Sequence, residues 1–148
     1  MGLFGLLVAF NVVVAGAVSA GGFKKDTLVL VAAGKRHTIA IELAETSQQK
    51  AMGLMFRQTL ARRAGMLFPY PDPQELTMWM RNTYIPLDMV FIAKGGVVHR
   101  IEENTEPFSE RIIASQGKVV AVLELAAGVA RELGLKAGDK VEHAALAK

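Results

Sequence analysis

The stretch ELTMWMRNTYIPLDMVFIA, residues 75–93, is the segment around which the predicted fold is organised. Its first apolar and aromatic run, residues 76–80, predicts a short strand, and the polar residues 81–83 predict a tight turn. Pro86 fixes its own φ and drives the preceding residue into an extended conformation, so a second strand is predicted over residues 89–93. The pattern therefore predicts two strands joined by a polar turn.

Two acidic residues lie beside apolar strand residues in this sequence. Asp88 is the only charged residue between Arg81 and Lys94, and Glu124 interrupts a later apolar run, KVVAVLEL. Because an unpaired buried carboxylate is costly, each acid must be hydrogen-bonded, paired or used. They are either a general acid/base pair or ligand-binding carboxylates, or structural groups: Asp88 would accept hydrogen bonds from the turn at 82–83, and Glu124 would cap or pair with an arginine.

The composition indicates one globular domain and excludes several functions. The chain has 148 residues, 51% hydrophobic and 21% charged, and no cysteine, which excludes a disulfide framework and thiolate catalysis. The net charge of +3 comes from cations scattered among acids, so no nucleic-acid partner is expected. Nucleotide-binding, metallohydrolase and serine-hydrolase motifs are missing and the three histidines lie far apart, so we expect no cofactor and no metal site of His type.

The N-terminal segment predicts export. Residues 1–23 carry no charge, and the small residues 18–21 suit signal-peptidase cleavage after Ala20. A positively charged n-region is missing, and the same segment has the length of a membrane anchor. The preferred interpretation is a signal peptide over residues 1–20 and a linker over 21–27, which makes the protein periplasmic or secreted. A retained segment would instead anchor it to the membrane.

Short strands separated by turn signals fill most of the remaining chain and predict a mainly β fold, α+β with two short helices, arranged as an antiparallel sandwich or barrel. Residues 27–32 and 37–43 predict a hairpin, and Thr46 with Gln49 predicts a capping box for a helix ended by Gly53. Further predicted elements are a strand at 65–68 stopped by a stiff proline loop at 69–73, a hairpin turn at 94–96, a strand at 97–101, the longest loop at 102–117, a strand at 118–125, a helix within 126–133 ended by Gly134, a last strand around Val141, and a frayed tail at 144–148.

Methionine offers a second kind of site. Met78 and Met80 flank Trp79 and point to the same side of the predicted strand. Thioether sulfur is a soft ligand that suits Cu(I), but methionine also fills irregular gaps in protein cores. Core packing is the preferred interpretation, and Cu(I) binding through Met78 and Met80 is an alternative.

Five sequence blocks resemble one known family. The blocks are GLMFR at 53–57, GMLF at 65–68, WMRNTYIPLD at 79–88, LELAAG at 123–128 and LGLKAGDKV at 133–141. Together they are similar to the DUF192 family of bacterial and archaeal proteins, a domain of unknown function, over about residues 28–142 of the domain at 28–143. The resemblance implies a compact β-rich domain of sandwich or jelly-roll type, often exported, with no established activity. Arg81 stands where the family often has lysine.

The predicted site is a patch or cleft that binds a small or extended polar ligand in the cell envelope. Trp79 would supply a flat apolar platform, arginine would recognise anionic groups, and the turn would orient the ligand. An envelope hydrolase is the alternative, and it requires the carboxyl groups of Asp88 and Glu124 to converge within about 10 Å. The predicted site residues are Arg57, Trp79, Arg81, Asn82, Thr83, Asp88 and Glu124.

Overall fold

This computed structural model describes residues 22–147 of the chain. Within this range lie seven strands and two short α-helices, joined by turns and loops. In chain order they are β1 (Lys24–Ala32), β2 (Lys35–Leu43), α1 (Ser47–Met52), β3 (Ala64–Met78), β4 (Leu87–Ala93), β5 (Val97–Glu102), β6 (Ile113–Ala126), α2 (Val129–Leu133) and β7 (Lys140–Glu142). Two 3₁₀ turns lie at Lys94–Gly96 and Ala144–Leu146. No helix in this range is long and apolar enough to cross a membrane. The signal peptide predicted at 1–20 lies outside the described residues.

The strands close into a barrel in the order β1-β2-β3-β6-β4-β5-β7, with β7 returning to β1. All neighbouring strands are antiparallel except β2 and β3, which run parallel across the connection that contains α1. The predicted mainly β class with two short helices is confirmed, and the architecture is the barrel. The sandwich and jelly-roll forms are not confirmed.

Two apolar clusters lie on opposite faces of the β3–β6–β4 part of the sheet. The first receives buried residues from every strand and from α2, so it is the barrel interior. The second lies on the outer face of β3, β6 and β4, where α1 and the loops cover it. Successive side chains of β6 alternate between the two clusters. Leu123 and Leu125 face the interior, and Val122 faces the outer cluster. Glu124 therefore also faces outward, toward the second cluster.

The helix predictions are confirmed at both helices. At α1, the Thr46 side chain accepts from the Gln49 amide and the Gln49 side chain accepts from the Thr46 amide, and the helix ends at Gly53. At α2, Gly134 takes the left-handed conformation that ends the helix. Three residues of α2 are buried in the barrel interior, so this helix closes one end of the barrel.

The central stretch differs from the prediction in the end of its first strand. β3 ends at Met78, and Trp79 and Met80 belong to the following loop, where the Met80 amide donates to the Ser109 carbonyl at 2.9 Å. β3 and β4 do not pair with each other, because β6 lies between them and pairs with both. β3 ends opposite Ile113, at the start of β6, and β4 begins opposite Ala126, at its end, so the connection at 79–86 runs between the two ends of β6.

The proline loop predicted at 69–73 is wrong, because β3 continues through it. Pro69 pairs with Ala121 and Gln74 pairs with Val119, so four residues of β3 lie opposite one residue of β6. A bulge of this kind accommodates prolines, since residues within it need not donate to the ladder.

The long loop predicted at 102–117 is also shorter in the structure, since β6 begins at Ile113. A second bulge, at Gln116 and Gly117 with φ of 56° and 153°, lets the strand continue past the turn signals. The predicted frayed tail is wrong as well, because Leu146 packs into the barrel interior at 3% exposure.

Candidate ligand-binding site

A cavity of about 370 Å³ opens on the outer face of the sheet, between α1 and the end of β3. Glu124 lies in its lining together with the backbone at the end of α1. The volume falls at the lower end of the range found for small-molecule sites, 300–1,000 Å³. Apolar and aromatic side chains make up most of its walls: Met52, Met55, Phe68, Tyr70, Met78 and Trp79.

Glu124 is the most unusual residue of this cavity, because it is a buried acid in a largely apolar lining. It is 4% exposed, and its cross-strand neighbours are Met66 on β3 and Met89 on β4. Within residues 22–147, no hydrogen bond or ion pair reaches its carboxyl group. Burial raises the pKa of Glu124 from 4.5 to about 8, so the carboxyl is largely protonated at pH 7.

Two other titratable side chains, Lys50 and Tyr70, line the same cavity. The Lys50 Nζ lies 4.1 Å from the centroid of the Tyr70 ring, a cation–π contact. Burial lowers the pKa of Lys50 and, together with the charge of Glu124, raises the pKa of the Tyr70 phenol. The cavity thus combines one cation held on an aromatic ring with one acid held in an apolar environment.

Two of the other predicted site residues, Trp79 and Thr83, line the cavity with Glu124. Trp79 is 40% exposed, and the Arg81 guanidinium lies 4.1 Å from its ring centroid. Arg81 also donates from Nε to Glu110 at 2.9 Å. The Thr83 hydroxyl donates to the Arg81 carbonyl at 3.0 Å, so it stabilises the turn. Arg81 therefore supports the platform that was predicted for Trp79.

Arg57 and Asn82 lie outside the lining of the cavity. Arg57 forms a salt bridge with Glu42 at 2.9 Å and lies near the ring of Phe23. Asn82 adopts a left-handed conformation, φ 52°, which suits asparagine in a turn, and its carboxamide lies 4.0 Å from the Met55 sulfur.

Asp88 is fully buried and has a structural position. Its two carboxylate oxygens accept hydrogen bonds at 2.9 Å, one from the Asn104 amide and one from the Ala130 amide in α2. The expected donors at 82–83 are not its partners. Asp88 therefore joins β4, the loop after β5 and α2 on the interior side of the sheet.

The predicted hydrolytic pair is not assembled. In the register of β4 and β6, Glu124 lies opposite Met89, whereas Asp88 lies opposite Leu125. Successive residues of a strand point to opposite faces, so the two carboxyl groups leave the sheet on different sides. The convergence that a glycosidase-like pair requires is absent here.

The methionine pair predicted for Cu(I) is also divided. Met80 is fully buried, and its sulfur lies 3.1 Å from the Thr105 hydroxyl, which donates to it. Met78 instead lines the cavity with Met52 and Met55, which lie more than twenty residues before it in the sequence. In residues 22–147, no group of three or more His, Asp or Glu side chains is placed to hold a metal ion.

An aromatic patch of three residues, Phe56, Tyr84 and Phe108, is exposed near the same loops. The ring centroids of Tyr84 lie 6.2 Å from Phe56 and 5.1 Å from Phe108. Phe56 and Phe108 have positive φ of 65° and 62°, and their amides donate to the carbonyls of the turn at 82 and 83. This patch and the α1 side of the cavity were missed, since only the fold brings segments 50–56, 79–84 and 105–112 together.

Comparisons with known proteins agree with the sequence blocks. The model of DUF192, described as Uncharacterized ACR, matches residues 28–143. A presumed transcription regulator of Sinorhizobium meliloti 1021 is 43% identical, with 85% of this chain and 98% of that chain covered and a TM-score of 0.82. A protein of unknown function from Novosphingobium aromaticivorans DSM 12444 is 40% identical, with 84% and 89% covered and a TM-score of 0.80. A comparison with curated proteins gave no match. The chain therefore belongs to the DUF192 family.

Proposed function

We propose that this protein binds a small molecule in the cavity at Glu124, with the apolar body of the ligand along the walls and a polar group at the carboxyl. The observation that carries the proposal is the buried Glu124 carboxyl, which faces the cavity and has no partner within residues 22–147. Glu124 is 4% exposed and lies in the cavity lining, so a ligand in the cavity can hydrogen-bond to its carboxyl without displacing a partner of the described chain.

The walls support the same function. Methionine side chains adapt to different shapes, and aromatic rings supply large apolar contact areas. Trp79 lies in the lining and is 40% exposed, so its ring can cover a bound molecule from one side. The ligand-contacting residues are thus proposed to be Trp79, Glu124, Met55 and Tyr70, with Arg81 holding Trp79 and Asp88 outside the site.

The place of action is a separate proposal, which depends on the sequence of residues 1–20. Cleavage after Ala20 would release the domain into the periplasm or the medium, where the ligand would be an envelope or nutrient molecule. The mass of the polypeptide recovered from its host decides this, because cleavage removes 20 residues and retention of an anchor removes none.

Trp79 is the only tryptophan of the chain and therefore reports on the cavity directly. We expect compounds from a fragment library to change Trp79 fluorescence and to raise the melting temperature, since a ligand that binds only the folded state stabilises it. Thr77 is exposed and lines the cavity, so Thr77→Trp is expected to fill the opening and abolish these melting shifts. Glu75→Gln, on the exposed part of β3, serves as the matched control.

Two results would contradict this function. A library without any compound that stabilises the wild type would leave the cavity without a ligand. Compounds that stabilise Thr77→Trp as strongly as the wild type would bind elsewhere.

A soft-metal site is a second candidate, because three methionines and Trp79 line one cavity. Thioether sulfur binds monovalent soft ions such as Cu(I) and Ag(I). In this version Met52, Met55 and Met78 take the place of the predicted Met78–Met80 pair. We expect Ag(I) to raise the melting temperature of the wild type but not of the double variant Met55→Leu/Met78→Leu. Equal shifts in both proteins would exclude the site.

A further inference from the structure

We propose that the ligand of the Glu124 cavity is an organic cation, an amine with an apolar body whose ammonium group pairs with the Glu124 carboxylate. This inference rests on the proposed function and adds the chemical class of the ligand. It follows from three observations: where the cations near the cavity are held, what the walls are made of, and how large the cavity is.

Within residues 22–147 no cation pairs with Glu124, because the cations of the lining and of the adjoining loops are held by other groups. Arg57 pairs with Glu42, and Arg81 lies on Trp79 and donates to Glu110. Lys50, the one cation of the lining, is held over the ring of Tyr70. A buried carboxyl whose neighbouring cations are all directed to other partners is placed to receive a positive charge from outside. Pairing compensates the cost of burying that charge.

The walls of the cavity suit the CH₂ groups that lie next to the ammonium of an amine. The CH₂ groups next to an ammonium carry part of the positive charge, and aromatic faces and thioether sulfur both attract such groups. Phe68, Tyr70, Trp79, Met55 and Met78 provide these surfaces around the carboxyl. An anionic ligand would instead have to draw Lys50, the cation of the lining, away from the Tyr70 ring that holds it.

The volume selects an organic molecule rather than a bare ion. The cavity holds about 370 Å³, whereas an apolar cavity of about 150 Å³ already accommodates benzene. A phenyl ring with a short aminoalkyl chain fits within this space. A single metal ion would leave most of it unfilled.

Binding of such a cation must release a proton. The free protein holds Glu124 mainly as the neutral acid at pH 7, and the ammonium requires the carboxylate, so the acid proton passes to the buffer. The other titratable groups in the lining are Lys50 and Tyr70. Burial and the charge of Glu124 raise the pKa of Tyr70, and burial lowers the pKa of Lys50 against the opposing effect of the Glu45 charge.

Three matched probes test the inference: 2-phenylethylamine, 2-phenylethanol and 3-phenylpropanoate. By titration calorimetry at pH 7.5 we expect the amine to bind about tenfold more tightly than the alcohol, with the acid weakest. Comparison of phosphate and Tris buffers, which differ in ionisation enthalpy, should show release of about 0.8 proton per amine bound, the fraction of Glu124 that is protonated at pH 7.5. Glu124→Gln, which keeps the shape of the side chain, should lose both the amine preference and the proton release.

Lys50→Gln gives an independent test of the sign of the ligand charge. Removal of a cation from the lining should strengthen amine binding by about threefold and weaken binding of 3-phenylpropanoate. Weaker amine binding by this variant would overturn the inference.

Failure of the inference differs from failure of the proposed function. If the alcohol binds as tightly as the amine and Glu124→Gln changes neither, the cavity binds ligands but does not select cations. The cation assignment is also overturned if Ag(I) displaces the amine and the Glu124→Gln variant still binds the amine. If none of the three probes binds, the cation assignment is overturned, and the fragment screen then decides whether the cavity binds anything.

Discussion

Asp88 and Glu124 are one residue apart in the register of β4 and β6, and their side chains therefore leave opposite faces of the same sheet. On the interior side, Asp88 accepts two backbone amides and joins three segments. On the outer side, Glu124 faces a cavity without a partner. The two acids look alike in the sequence but lie in different environments. Each environment leads to a separate prediction.

Asp88→Asn should destabilise the fold. The carboxylate accepts from the Asn104 and Ala130 amides, and an amide side chain can satisfy only one of these donors. Hydrogen bonds to charged groups contribute about 1.5–3 kcal/mol each, so we expect a loss of about 2–4 kcal/mol in the free energy of unfolding. Urea denaturation measures it. Asp72→Asn, at an exposed position, should change it by less than about 0.5 kcal/mol. An Asp88→Asn variant with wild-type stability would contradict the structural role.

Glu124→Gln should change how stability depends on pH. Burial raises the pKa of Glu124 from 4.5 to about 8, so the folded state holds a proton that the unfolded chain releases between these values. The free energy of unfolding of the wild type should therefore fall as the pH rises from about 4.5 to about 8, by an amount on the order of 3–5 kcal/mol. Glu124→Gln has no carboxyl at this position, so its free energy of unfolding should lack this dependence on pH.

The difference between the two proteins is the quantity to measure, because it cancels the other titrating groups. We expect urea midpoints at pH 5 and pH 8.5 to differ more in the wild type than in Glu124→Gln. Parallel pH profiles of the two proteins would show that the carboxyl is not buried as an acid.

Gly65→Ala should cost stability through a backbone clash. A Cβ at Gly65 would lie 2.5 Å from the Glu124 carbonyl oxygen, and strand backbone cannot move away as a flexible side chain can. Overpacking of this kind costs about 1–3 kcal/mol. Gly22→Ala, where the new Cβ meets nothing within 4 Å, is the matched control. Thermal unfolding of both variants checks the expectation, which fails if the two melt at the same temperature.

Thr46→Ala should weaken α1 and, through it, one wall of the cavity. The Thr46 hydroxyl accepts from the Gln49 amide, and loss of such a cap costs about 1 kcal/mol. Lys50, Met52 and Gly53 lie at the end of this helix and line the cavity. We therefore expect lower stability together with faster amide hydrogen exchange in α1. Thr46→Ser keeps the hydroxyl and should match the wild type in both measurements.

The local elements of the fold could be predicted because their signals lie within a few residues of one another. Thr46 and Gln49 define α1, Gly134 ends α2, and the glycines at 95 and 96 form the turn between β4 and β5. The bulges in β3 and β6 could not be predicted, because whether prolines interrupt a strand depends on what the partner strand offers. Closure into a barrel also depends on pairing between strands that are distant in sequence.

The site was predictable only in part. The apolar context of Glu124 indicated a buried acid, and Trp79, predicted as a flat platform of the same site, lies in the cavity lining with it. The same reasoning placed Asp88 beside Glu124, because apolar runs do not show which face of a sheet a residue takes. That choice follows from the register with β6, in which Asp88 lies opposite Leu125 and Glu124 lies opposite Met89. Lys50 and Tyr70 carried no signal in the sequence, since α1 and the first bulge meet only in the folded chain.

The pairing of β7 with β1 has a consequence for the order in which the chain can fold. Val29 pairs with Glu142, so closure of the barrel joins positions separated by more than a hundred residues. A contact of such long sequence separation forms slowly, because the entropy of a large loop must be lost first. During synthesis, β1 and β5 keep unpaired edges until Lys140–Glu142 has left the ribosome. Closure of the barrel therefore waits for β7, which joins the edge of β1 to the edge of β5.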